Sequence, residues 1–216
     1  MNNTLLIIPT LLEAEHILDS NLSVKQTENL YSLPALNTDL LICGPGLPVS
    51  IMRITQHLAS ENAYTLMLLA GIAGSYSDSF QAGDLLVVET EKFADIGYMY
   101  NGQFVPLTNS KTWKDYRRGV LINEYQVLRH ETGLKNVSAN TVNLNNANLK
   151  GMPDADIENM EGAGFFLLAK EVNIPYLEIR SVSNPVTERN KKKWETNLAL
   201  GKLTWFLNTY LKRRVS

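Results

Sequence analysis

Three polar side chains stand where a strand should give way to a helix: Glu13, Glu161 and Asn184. In an open α/β sheet, ligands bind beyond the carboxyl ends of the strands. Two carboxylates and an amide at such junctions are therefore placed to grip a small polar molecule. Glu161 and Asn184 lie on consecutive units of one stretch, DIENMEGAGFFLLAKEVNIPYLEIRSVSNPVTERN, from Asp156 to Asn190. A fourth element is GIAGS at 71–75, where glycine permits a turn tight enough for a ligand to approach the main chain. Each has a plainer reading when taken alone. Glu13 and Glu161 suit the first turn of a helix, where the dipole favours acids, and Asn184 before Pro185 suits a turn. GIAGS is not GxGxxG, and no acidic residue follows at the distance a dinucleotide site needs.

The elements that must carry these residues alternate. Thr4–Ile8 reads as a buried strand and Leu11–Leu18 as a helix, with Leu11, Leu12, Ala14, Ile17 and Leu18 on its apolar face. Asp39–Cys43 is a strand ending at Gly44-Pro45-Gly46, and Ile51, Ile54 and Leu58 mark one face of the helix that follows. Tyr64–Ala70 is nearly all apolar, as a strand covered on both sides should be, and runs into the Gly71–Ser75 loop. Gly83–Thr90 is the next strand. Phe93 to Trp113 reads as irregular and aromatic-rich. A helix is predicted from Asn123, as its cap, to His130, then a strand over Val137–Val142 and a turn over Asn143–Asn148. A strand ends at Met160, a helix opens at Glu161 and stops before Pro175, and Tyr176–Val182 is a second buried strand. Trp194–Arg213 closes the chain as a long helix. One α/β domain accounts for all of it.

Composition narrows the classes. The 216 residues carry a formal net charge of −2, with 44% hydrophobic and 19% charged residues, ordinary values for a soluble globular protein. Nothing there argues for nucleic acid or an anionic membrane as partner. The basic clusters Lys191–Lys193 and Lys212–Arg214 read as a solvated helix flank and tail. Cys43 is the single cysteine, so an internal disulfide is excluded and a reducing, cytoplasmic setting is expected. His16, His57 and His130 are scattered, without metal-ligand spacing. The apolar start is broken by Pro9 and Glu13 and lacks a basic leader. No apolar run approaches the roughly 20 residues that span a bilayer.

As a set, these segments carry a resemblance. PTLLE with Glu13, GIAGS, NMEG with Met160 and Glu161, and SVSN with Ser183 and Asn184 resemble the nucleoside phosphorylase/nucleosidase superfamily, in order and over nearly the whole chain. The resemblance implies a three-layer α/β/α fold with a central mixed twisted sheet, forming one domain over residues 1–216. It implies a small-molecule nucleoside as substrate, neither metal nor organic cofactor, and an assembly of two or more copies. Glu161 would hold the ribose hydroxyls, with Met160 under the sugar and Ile72, Ala73 and Gly74 near base and sugar. Asn159 and Ser183 would flank them. Glu13 would orient and deprotonate the attacking water, help typically worth about 10²–10⁴ in rate, and Asn184 would face the purine.

Two departures from the superfamily's pattern select a branch. Its phosphorylases need arginines for phosphate, one of them two residues before the glycine of this turn, where this chain has Leu69, with Ile72 in place of a hydroxyl. An apolar pair cannot offset a phosphate's charge, so water is the expected nucleophile. Nucleosidases acting on methylthioadenosine and S-adenosylhomocysteine carry aspartate where this chain has Asn184 and glutamate where it has Asn159. An amide both donates and accepts, which suits the N7 and carbonyl oxygen of a 6-oxopurine.

PTLLEAE, FADIG, ENMEGAGFF and SNPVTERNKKKW look like the futalosine hydrolase branch. That branch implies cleavage of the N-glycosidic bond of futalosine, with release of hypoxanthine, in menaquinone biosynthesis. The aromatic-rich Phe93–Phe104 segment, Phe93 first, and Arg189 are candidates for the benzoate on the sugar, by stacking and a bidentate contact; a surface charge is the other reading of Arg189. Two alternatives stand beside this expectation. One is a nucleosidase for methylthioadenosine, S-adenosylhomocysteine or inosine. The other is a nucleoside-binding protein without turnover, against which the retained Glu13 speaks.

Overall fold

The computed structural model describes residues 3–60, 64–107, 119–144, 154–188 and 190–215. Strand β1 (Thr4–Ile8) is buried at every residue. It pairs in parallel with β4 (Thr38–Ile42) on one side and β5 (Leu66–Ser75) on the other. Covered on both faces, these strands need apolar side chains in both directions, which is why they read as continuous runs and not as alternations. Alternate residues feed two cores. Leu6, Ile8, Leu40, Leu68 and Ala70 pack with α1 (Leu11–Asp19) and the terminal helix α5 (Thr196–Val215). Leu5, Ile7, Leu41, Met67 and Leu69 pack with α2 (Leu47–Ser60) and α4 (Gly162–Glu171). The result is the expected three layers, helices on both faces of a mixed sheet.

Among the described residues the sheet runs β11 (Ile157–Asn159), β10 (Lys135–Thr141), β6 (Leu85–Phe93), β12 (Tyr176–Pro185), β5, β1, β4, β3 (Leu30–Leu33), β2 (Val24–Lys25), with β9 (Val120–Ile122) on β6. Strand β11 also pairs antiparallel with the far end of β5. That pairing closes β5, β12, β6, β10 and β11 into a ring, and the end of β5 becomes part of its wall. β12 runs parallel to β5 as far as Pro185↔Ser75, with one irregularity between Val182 and Asn184.

Several expectations are corrected. GIAGS is not a loop: Gly71–Ser75 continues β5, because β12 and β11 supply hydrogen-bond partners on both edges. Leu11 and Leu12 are exposed, at 50% and 59%, while Ala14 and Ile17 face the core. Asn123 does not cap helix α3 (Gln126–Thr132), where Tyr125 holds the cap position. Asn123 accepts from the Tyr125 amide and donates to the Tyr176 carbonyl, tying a turn to β12. The region after Phe93 contains a hairpin, β7 (Gly97–Tyr100) against β8 (Gln103–Pro106), with Tyr98, Met99 and Tyr100 exposed. The rest of that irregular stretch, 108–113, and positions 145–148 of the predicted turn lie outside the described residues. Among the described residues no helix is long and apolar enough to cross a membrane, and no cluster of His, Cys, Asp and Glu could hold a metal ion.

Candidate active site

Helix α1 begins directly after β1, and its first turn carries Glu13. Thr10 caps it: its hydroxyl accepts from the Glu13 amide at 3.3 Å and donates to Glu13 Oε2 at 2.7 Å. The other oxygen, Oε1, accepts from the Ile72 amide at 3.1 Å. That amide is available for a structural reason. β1 pairs with β5 only up to Ile7↔Leu69, so beyond that register the β5 edge faces the start of α1. Burial pushes the Glu13 carboxyl above the ordinary carboxylate range, although the donors from Thr10 and Ile72 pull the other way. A carboxylate held at both oxygens and raised toward neutrality suits a general base.

Gly71 is needed for closeness. A Cβ there would stand 2.6 Å from Arg180 Nη1 and 2.9 Å from Glu13 Oε1. Arg180, 1% exposed on β12, donates through Nε to Glu178 Oε1 at 2.8 Å and lies with Nη2 3.4 Å from Glu161 Oε2. Its Nη1 points to the Ile72 carbonyl at 3.5 Å. Burial works against this charge, but Glu178 and Glu161 outweigh it and hold the guanidinium above its usual value.

Glu161 enters from the start of α4. Its Oε1 accepts from the Gly46 amide at 2.9 Å. Gly46, at φ 80°, ends the turn after β4, a left-handed conformation that glycine adopts without a steric penalty. The backbone of Glu161 is fixed as well. Asn159 Oδ1 accepts from the amides of Glu161 at 3.0 Å and Gly162 at 2.7 Å, capping the helix. Asn159 Nδ2 donates to Glu91 Oε1. Asn159 thus lines the cavity with both ends of its amide engaged by protein.

Asn184 sits at the bulge of β12, where the extra residue re-aims the side chains that follow. Its Oδ1 accepts from Ser183 Oγ at 2.7 Å and its Nδ2 donates to the Pro185 carbonyl at 2.9 Å. One amide hydrogen and one carbonyl lone pair remain for a ligand.

These groups border one cavity of about 590 Å³. Of the residues singled out from sequence, it brings together Glu13, Ile72, Ala73, Gly74, Asn159, Met160, Glu161, Ser183 and Asn184. Phe93 is not among them: it is buried in the core at the end of β6, 5% exposed. Arg189 lies outside the described residues. Sequence reading missed Arg180, Glu158, Lys191 and Trp194, which also line the cavity. Glu158 accepts from the Tyr76 hydroxyl at 2.8 Å, and Lys191 Nζ lies 5.7 Å from the Trp194 ring centroid.

Residues 7–212 match the family model of the phosphorylase superfamily. The chain is 29% identical over 176 residues to a futalosine hydrolase from Acidothermus cellulolyticus, a match covering 76% of this chain and 71% of that one. It is 31% identical over 147 residues to a futalosine hydrolase from Streptomyces coelicolor, covering 65% of this chain and 63% of that protein, a little under two thirds of its length. In three dimensions it is similar to a mutant of Helicobacter pylori MTAN holding 5'-methylthioadenosine in its active site. The TM-score is 0.79 at 15% identity, with 99% of each chain covered; at that identity the likeness speaks for the fold.

Proposed function

We propose, from the premise that the chain belongs to the phosphorylase superfamily, that it hydrolyses the N-glycosidic bond of futalosine. The observation that carries this reading is Glu13, a buried carboxylate held by Thr10 and Ile72 on the cavity that also receives Glu161 and Asn184. Glu161 binds the ribose hydroxyls. Positive charge develops on the sugar as the bond to the purine lengthens, and Glu13 takes a proton from the water that attacks the anomeric carbon. The bonding electrons leave with the purine, and Asn184 donates to it as it departs. An amide cannot protonate the base at neutral pH, so the purine takes its proton from solvent.

Water is favoured over phosphate by the cations present. Among the described residues lining the cavity, Arg180 is the single arginine, and it is engaged by Glu178, Glu161 and the Ile72 carbonyl. Leu69 is buried in the core. A benzoate on the sugar finds its partners in Lys191 and Trp194, a cation and an aromatic face on the cavity wall, with the aromatic role passing from Phe93 to Trp194. The products are hypoxanthine and the carboxybenzoyl sugar, a step of menaquinone biosynthesis. The whole chain acts as one domain in the cytoplasm, as a dimer or larger assembly.

The test is chromatographic detection of free hypoxanthine after mixing the purified protein with futalosine in phosphate-free buffer. Release is the expected result. Adenine released from methylthioadenosine faster than hypoxanthine from futalosine would overturn the substrate and leave the mechanism.

A further inference from the structure

Below the cavity floor lie two acids that the mechanism does not use. Glu91 on β6 and Glu178 on β12 are both fully buried. Gly162 shows how near they come. A Cβ at that position would stand 1.9 Å from Glu91 Oε1 and 2.7 Å from Glu178 Oε2, so the two oxygens face each other across the space its missing side chain leaves. Three of the four oxygens of the two acids have a protein donor. Glu91 Oε2 accepts from Thr141 Oγ1 at 2.8 Å, Glu91 Oε1 from Asn159 Nδ2, and Glu178 Oε1 from Arg180 Nε at 2.8 Å. Glu178 Oε2 is buried with no donor. Two ionised carboxylates would leave that oxygen unsatisfied against a like charge, with Glu161 as a third acid around the same guanidinium. A proton on Glu91 Oε1 removes both costs at once, because a protonated carboxyl donates. Glu178 is the ionised member, since Arg180 is its partner.

The connections outward converge on one residue. From Glu91, Asn159 reaches the amides of Glu161 and Gly162, and Thr141 Oγ1 accepts from the Ala163 amide at 2.7 Å. From Glu178, Arg180 reaches the Glu161 carboxylate. The backbone support of Glu161 and its side-chain support thus meet at the Glu91–Glu178 contact. We propose that Glu91 and Glu178 share a single proton beside Gly162, and that this pair positions Glu161 for the hydrolysis proposed above, on which reading the role rests. Neither acid lines the cavity; both are positioning residues. Burial, then the neighbouring carboxylate, pushes Glu91 well above the usual range, consistent with this arrangement. The charged groups facing the pair are Arg180 and Glu161, and the uncharged ones are Thr141, Asn159 and the first amides of α4.

The experiment is infrared difference spectroscopy of wild type against E91Q, joined to kinetics on E91Q, E91L and E178Q. A protonated-carboxyl stretch present in wild type at neutral pH and absent from E91Q is expected. Glutamine donates to Glu178 as the acid does, although its nitrogen cannot accept from Asn159 Nδ2, so E91Q should lose no more than about tenfold in kcat, while E91L and E178Q should lose more than about tenfold. Wild type should lose activity at alkaline pH as the shared proton leaves, and E91Q should lack that limb. Circular dichroism confirms that each variant is folded. An active chain without the acid band overturns the pair alone. Folded E91Q and E91L impaired alike overturn the positioning role. A chain that cleaves no nucleoside overturns that role together with the reading of function.

Discussion

Arg180 Nη2 lies 3.4 Å from Glu161 Oε2 in a site where the side chains are 1% and 5% exposed. A buried ion pair of this kind is weak evidence for stability, because desolvation offsets much of the attraction. Its value here is geometric. The same guanidinium is bound by Glu178 and points to the Ile72 carbonyl, while the Ile72 amide holds Glu13. The acid proposed to bind ribose and the proposed general base are therefore indexed to one residue of β5.

Removing that guanidinium should unfold more than it frees. Arg180→Met leaves Glu178 and Glu161 buried without their cation, and breaking a buried pair typically costs about 3–5 kcal/mol. Urea unfolding should show a lower midpoint with an unchanged slope. A midpoint equal to wild type would mean that the carboxylates simply take up protons, and that Arg180 has no structural role.

Glu13→Gln keeps the shape and an acceptor for the Ile72 amide but cannot take a proton from water. Turnover should fall by about 10²–10⁴, with hypoxanthine binding by calorimetry near the wild-type value. Unchanged turnover would remove Glu13 from the mechanism.

The pH dependence follows from the raised carboxyls. Glu13 must be ionised to act, and burial raises it, so activity should fall with acid through a value above the ordinary carboxylate range. Stability runs the opposite way. A buried acid raised in the folded state contributes fully below its unfolded pKa of about 4.3, and that contribution is lost as pH rises through the folded value. For Glu91, raised well above its usual range by burial and Glu178, the slope in that window is about 1.4 kcal/mol per pH unit. E91Q should therefore gain on wild type in urea as pH rises from about 4 to 8. A constant difference across pH would show that Glu91 titrates normally.

Much of this frame was readable because the strongest signals are local. Four consecutive apolar residues after Thr4 gave β1 its bounds, and Pro175 placed the gap between α4 and β12. GIAGS misled because its glycines signal a turn locally, whereas the partners that make it a strand, β12 and β11, come more than eighty residues later. Gly71 is there to admit Arg180 and Glu13, a contact between three distant segments. Arg180 itself left a trace that was not used. Glu178 and Arg180 are two apart among the apolar residues Tyr176, Leu177, Ile179 and Val182, hence on one face, and opposite charges there mark a buried pair. Phe93 was drawn into the site by its aromatic neighbourhood, yet the period of β6 turns it into the core. Lys191 and Trp194 could not be separated from a solvated basic flank until the chain after β12 was seen to border the cavity.

The identity of residue 184 should decide which purine leaves. The Asn184 amide donates to the Pro185 carbonyl at 2.9 Å and accepts from Ser183 at 2.7 Å, so its rotation is fixed by neighbours on both sides. Aspartate at this position cannot donate to that carbonyl unless it is protonated. It would turn toward the cavity, or take up a proton there and offer it to the leaving base. Either change favours a base that presents an amino group and a ring nitrogen over one that presents a carbonyl. A mismatched buried polar group costs about 1–3 kcal/mol, roughly 5- to 150-fold in rate ratio. In Asn184→Asp, kcat/KM for adenine release from methylthioadenosine should therefore rise by such a factor relative to hypoxanthine release from futalosine. Measuring both substrates on the same preparation separates specificity from damage, since a misfolded site lowers the two together. A ratio unmoved by the substitution would place base selection elsewhere on the cavity wall, at Glu158 or along the chain that follows β12.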